Sequence, residues 1–212
     1  MFAEMAGYFQ NNMDDFLRAI ATHAGISALA LLLAAAVGIP AGILCVRCQR
    51  LQRWVVPLFQ GLRILPSLAV LFLLIPVLGT GLLPALVALV LLAVPSILLN
   101  TVAGLTQTPE FMLETAAACG MTSGQIWRRV WLPMALPMIL TGIKNAVTEI
   151  IASATLAAKI GAGGLGEIIF TGLGLYRFDL LLAGGVTVAL LSLLSAGAVG
   201  LLGRILMRYK YI

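Results

Sequence analysis

Charge is scarce in this sequence. Of its 212 residues only 10% are Asp, Glu, Lys or Arg, while 61% are hydrophobic; a soluble domain carries about 25% charged residues. That deficit excludes an ordinary water-soluble fold. Histidine is nearly absent as well: His23 is the only one, so no Ser-His-Asp grouping can be assembled, and no active site is expected. Three cysteines give one C-x-x-C, Cys45 to Cys48. A zinc site needs about four ligands, His23 is expected at the other membrane face, and thiols near the cytoplasm stay reduced. The cysteines therefore read as packing residues. No G-x-x-x-x-G-K-[ST] occurs anywhere, so the chain has no recognisable ATP site of its own. Heptads, long linkers and low-complexity tails are missing too, which leaves one membrane domain.

What is present is a series of long apolar runs. A bilayer core about 30 Å thick needs roughly 20 such residues per helix. Five membrane helices fit, over residues 25–46, 55–78, 82–106, 134–158 and 180–203. Residues 1–24 are polar and acidic at the start, without the basic region of a removable signal peptide. They read as an interfacial amphipathic helix leading into a transmembrane domain over 25–212. Eight of the thirteen Lys and Arg residues fall in three segments: Arg47, Arg50 and Arg53; Arg128 and Arg129; Arg204, Arg208 and Lys210. Five spans put all three on one side, and the positive-inside bias makes that side cytoplasmic, with the N-terminus outside. The net charge of +5 thus suits lipid headgroups rather than nucleic acid. Pro40, Pro57, Pro66, Pro76 and Pro95 fall within spans, where each removes a backbone bond and can kink its helix.

The loop over 107–133 carries the functional signal. Thr108 suits a helix N-cap, Pro109 the first helical position and Glu110 the positive end of the dipole. Gly120 is placed to end that helix in the left-handed conformation. Thr122 to Gln125 then forms a capping box for a second short helix running to Pro133.

Glu114, Thr115 and Ala116, then Gly120, then Val130, Leu132 and Pro133 match a spaced pattern. It resembles the E-A-A, three residues, G, nine residues, I-x-L-P motif of ABC importer permeases, with Thr115 for an alanine and Val130 for isoleucine. The resemblance implies that this loop is the coupling helix that docks on a separate ATPase. The small Ala116, Ala117 and Ala118 would permit close approach, and Glu114 a charge-assisted contact. Residues 64–105 and 154–173 resemble permeases for glycine betaine, choline, carnitine and related osmoprotectants. The family implies an all-α integral membrane protein: five transmembrane helices of the methionine-importer-like permease fold in a bacterial cytoplasmic membrane. It further implies ABC ATPase subunits carrying ATP and Mg, an extracytoplasmic substrate-binding protein, and a second permease copy or paralogue around a shared pore. Ergothioneine, an amino acid or another small zwitterion remains open as the solute. A passive channel or ion-coupled carrier is the alternative of another class, and it leaves the Glu114 to Pro133 pattern unexplained.

Two further groups stand out. Gly161, Gly163, Gly164 and Gly166 form an outer glycine loop; the first, second and fourth satisfy G-x-G-x-x-G, but a dinucleotide site needs a βαβ unit. A tight, close-packed turn fits better, and the family resemblance implies that this outer segment helps receive the binding protein. Arg63, Lys144 and Glu149 are charges inside expected spans, with Asn145 on the Glu149 face and Asn100 in the third span. Intramembrane charges default to function. Arg63 and Lys144 either snorkel toward the surface or, with Asn100, Asn145 and Glu149, line the translocation path.

Overall fold

A computed structural model describes residues 2–207, with side chains from Tyr8 onward; the basic tail residues Arg208 and Lys210 lie outside the described residues. Every regular element among those described is helical: α1 (Phe2–Arg47), α2 (Gln49–Leu62), α3 (Ser67–Leu78), α4 (Leu82–Thr106), α5 (Glu110–Ala118), α6 (Ser123–Ile126), a π segment (Trp127–Trp131), α7 (Leu132–Ala157), a 3-10 turn (Ala158–Ile160), α8 (Leu165–Gly174) and α9 (Phe178–Leu206). Four runs are long and apolar enough to cross a bilayer, or five if the bent pair α2–α3 counts as one.

α4 is the centre. Its faces from Leu92 to Leu98 are buried without interruption, with α1 on one side and α7 on the other. Lipid offers no hydrophobic drive for helix association, so close packing of small residues must supply it. α1 presents Ala30, Ala34, Gly38 and Gly42 at a spacing of four, one face of a helix. A methyl on Gly42 would stand 2.7 Å from the Thr101 Cβ, which shows how close the backbones run. α9 lies at the edge, packed on α7 and α8, and most of its leucines are exposed, as a lipid-facing helix requires.

Three expectations need correction. α1 passes residue 24 without a break, and its kink falls at Asn12 (φ −132°, ψ 26°). The pattern read as an interfacial face is largely a protein-facing stripe. Phe16 is buried with Leu165 and Ala183, flanked by Phe9 and Ile20, while Asp14, Asp15 and Arg18 are exposed. The apolar stretch Tyr8–Arg47 has 40 residues, or about 60 Å at 1.5 Å each, so it exceeds the hydrocarbon core.

The second span is not one helix. α2 and α3 meet at 101° across residues 63–66. Pro66 is the reason: it lacks an N–H and drives the residue before it out of helical geometry, and it caps α3 with ψ 130°. Arg63, expected inside a helix, is therefore an exposed residue at the break. Third, the helix that carries the fourth span does not begin near Pro133. Helix runs continuously over Ser123–Ile160, 38 residues. Pro133 cannot donate to the carbonyl four residues back, and the adjacent π segment, where the Leu132 N–H bonds the Trp127 carbonyl, takes up the mismatch. α8, in a stretch read only as an outer loop, was not anticipated.

Candidate functional site

The loop between α4 and α7 forms from local chemistry. α5 ends in a reciprocal pair of backbone bonds, Gly120 N–H to the Ala117 carbonyl at 2.9 Å and Met121 N–H to the Ala116 carbonyl at 3.2 Å. This closure needs a left-handed residue, and Gly120 supplies φ +80°. The capping box of α6 is present, with Thr122 and Gln125 each bonding the other's backbone N–H. The first cap differs from expectation. Pro109 is itself the N-cap of α5, and the Thr108 hydroxyl donates back to the Gly104 carbonyl at 3.3 Å. Pro109 has no N–H to offer and its fixed φ suits the entry.

Glu114, Thr115, Ala117 and Ala118 are exposed on α5, whereas Ala116 is buried against the loop's own body. Ala116 is thus unavailable to a partner surface. Val130, Leu132 and Pro133 join Phe111, Met112 and Leu206 around an apolar groove beside α5. The loop is fastened to the bundle by Trp131, whose Nε1–H donates to the Leu105 carbonyl of α4 at 2.9 Å. Trp127 stacks edge-on against Trp131 at 5.3 Å and carries Arg47 over its ring at 5.1 Å. Arg47, Arg128 and Arg129 share one recess here with Thr122 to Gln125. Of the expected basic segments, Arg47 from the first and Arg128 and Arg129 from the second thus meet at this end.

A second cluster sits mid-bundle. Thr141, Lys144, Asn145, Thr148 and Glu149 follow the helical i, i+3, i+4, i+7, i+8 spacing on α7. The first four are exposed and Glu149 is half-buried. The threonine hydroxyls satisfy themselves on the carbonyls of Pro137 and Lys144. Glu149 meets α4: the Ser96 hydroxyl donates to its Oε2 at 3.0 Å, and Asn100 Nδ2 donates to the Ser96 carbonyl at 2.7 Å. Asn100 also lines a polar recess of about 520 Å³ with Gln60, Arg63, Ile64 and Leu99. Arg63, Asn100 and Glu149 are therefore brought together across α2, α4 and α7. Lys144 and Asn145 share the α7 face but lie outside that recess. Gln60, Ser96, Thr141 and Thr148 were missed in the sequence. The spacing of Thr141 and Thr148 was legible there; the positions of Gln60 and Ser96 were not, because they depend on the α2–α3 bend and the α4–α7 contact.

At the opposite end of α4 lies the glycine turn. Gly161, Gly163 and Gly164 have φ of +86°, +79° and +80°, a region that side chains other than glycine rarely enter. The turn is tied to its neighbours: Gly81 N–H bonds the Ile160 carbonyl, and buried His23 donates Nε2–H to the Ile151 carbonyl at 3.1 Å while packing on Gly164. Gly166 has no room for a side chain, since the Thr155 carbonyl of α7 lies against it.

Comparison with known proteins agrees with this arrangement. Residues 37–208 match the family described as binding-protein-dependent transport system inner membrane component. The chain is 40% identical to a carnitine transport permease of Listeria monocytogenes, over 91% of this chain and 88% of that one. It is 37% identical to a glycine betaine/carnitine/choline transport system permease of Bacillus subtilis, over 90% and 88%. In fold it is similar to an inward-facing form of the MetNI methionine ABC transporter, with a TM-score of 0.80 at 24% identity over 90% and 95% of the two chains. The chain, with its all-α fold, its polar mid-bundle cluster and its surface loop, belongs to the inner-membrane components of binding-protein-dependent transport systems, as a permease subunit of an ABC importer.

Proposed function

We propose that this permease passes a quaternary-ammonium osmoprotectant, of the glycine betaine, carnitine and choline class named for its relatives, along the polar face of α7. One observation carries the reading. The loop that resembles a coupling motif is continuous with the helix that bears Lys144, Asn145 and Glu149. Movement imposed on α5 and α6 is thereby delivered to that face. Four polar side chains exposed on a spanning helix do not face lipid; they require water or another chain. A second copy or a paralogue across a shared path answers that need.

ATPase subunits, holding ATP and Mg, dock on α5 and α6 through exposed Glu114 and Phe111, and Gly120 sets the angle between the two helices. The clustered Arg47, Arg128 and Arg129 support a cytoplasmic position for that end under the positive-inside bias, with the N-terminus outside. The binding protein meets the other end, where Leu173, Leu175, Tyr176 and Phe178 stand exposed around the α8–α9 turn beside the glycine turn.

Reconstitution in proteoliposomes with the cognate ATPase and binding protein tests this. ATP-dependent uptake of at least one of the three solutes is expected, falling at least tenfold on Glu149→Gln with the complex still assembled. Unchanged uptake in that variant removes the path, and uptake by the chain alone without nucleotide removes the ABC mechanism.

A further inference from the structure

Resting on the path proposed above, we infer that the Arg63 recess and the Glu149 site form a two-pole station for a zwitterionic solute, with its carboxylate at Arg63 and its quaternary ammonium at Glu149. The two side chains come from different elements and carry opposite charge. Arg63 stands at the α2–α3 break, where the Pro66 bend turns the backbone by 101° and leaves the side chain at a recess instead of a helix face. Glu149 lies on α7, and Ser96 and Asn100 of α4 connect the two places, one helical turn or about 6 Å apart along that helix. The two charges are not in contact: among the described residues the Glu149 carboxylate accepts its side-chain hydrogen bond from the Ser96 hydroxyl, and no ion pair joins it to Arg63.

Arg63 is exposed and Glu149 half-buried, and among the described residues neither has an opposite charge within ion-pair distance, so both stay open to a charged solute. A solute bearing both signs would compensate both. Its carboxylate would accept from the planar guanidinium, with donors from Gln60 or Asn100 beside it. Its methylated ammonium has no N–H to donate and needs only a diffuse negative partner, which Glu149 provides while Ser96 fixes the carboxylate. A lone cation satisfies only Glu149, and a lone anion only Arg63. The recess of about 520 Å³ around Gln60, Arg63 and Asn100 has room for the carboxylate end of such a solute, and Glu149 stands outside its lining, one turn of α4 away through Ser96.

The test uses the ATPase–permease complex with Cys48 and Cys119 changed to serine and Gln60→Cys introduced as reporter. Modification by a charged, water-soluble thiol reagent is timed with glycine betaine, choline or acetate at equal concentration. Glycine betaine should slow modification at least threefold, and choline and acetate far less. Arg63→Gln should abolish that protection, with Arg63→Lys restoring part of it. Equal protection by choline and glycine betaine, or protection that survives Arg63→Gln, overturns the two-pole station. So does the absence of any protection while the cysteine reacts readily, and in that case the water-filled path stands. Failure of the reagent to reach the cysteine at all removes the path and the station together.

Discussion

Gly142 permits a direct test of what holds α4 against α7. A methyl group there would lie 2.8 Å from the Asn100 Cβ, 2.9 Å from the Ser96 carbonyl oxygen and 3.2 Å from the Ile97 Cα. Carbon atoms rest at about 3.5–4.0 Å, so Gly142→Ala must part the helices by roughly 0.5–1 Å. Overpacking of that kind costs about 1–3 kcal/mol. Alanine returns up to ~1 kcal/mol through its better helix propensity. Gly185 on α9 supplies the control, because nothing lies within 4 Å of its would-be methyl. Gly185→Ala takes the propensity gain without the strain. The propensity term cancels between the variants, leaving Gly142→Ala less stable than Gly185→Ala by about 1–3 kcal/mol. Reversible unfolding of the purified chain in mixed micelles, followed by tryptophan fluorescence, measures the difference. Equal stabilities, or a more stable Gly142→Ala, would show that the two helices are not held at contact distance and would refute the packing argument.

Two other outcomes follow from the loop. Trp131→Phe deletes the indole donor to the Leu105 carbonyl and leaves that acceptor unpaired; it should lower stability by about 1–3 kcal/mol and reduce transport per ATP hydrolysed in the reconstituted complex. Full coupling in this variant would mean that the Trp131 tie transmits nothing. Exposed Cys119, beside Gly120, should react with a membrane-impermeant maleimide in inverted vesicles and not in intact cells; labelling in intact cells would reverse the proposed orientation.

Much of this was legible before any coordinates, for unequal reasons. The Thr122–Gln125 capping box and the Gly120 turn are set by residues within a few positions of each other, so sequence suffices. The count of five spans holds if the bent pair α2–α3 is taken as one, because apolar length is a bulk property. The Arg63 break was misread since Pro40, Pro57, Pro76 and Pro95 all sit inside helices and Pro66 does not; only tertiary placement separates them. Glu149 was recognised as a costly charge, but its Ser96 partner lies 53 positions away, beyond any local pattern. Residues 8–24 misled for a similar reason. An apolar stripe that meets α8 and α9 has the same periodicity as one that meets lipid headgroups.

The unbroken helix over Ser123–Ile160 is about 57 Å long at 1.5 Å per residue. One end is capped by the Thr122 box and the other is clasped by Gly81. A helix continuous over that length links its two ends in both directions alike. Whatever free energy an event at one end spends on tilting or sliding it must be felt, with the same magnitude, by an event at the other. Under the proposed docking, a ligand bound at the glycine turn would change nucleotide affinity by the same factor as bound nucleotide changes the affinity for that ligand.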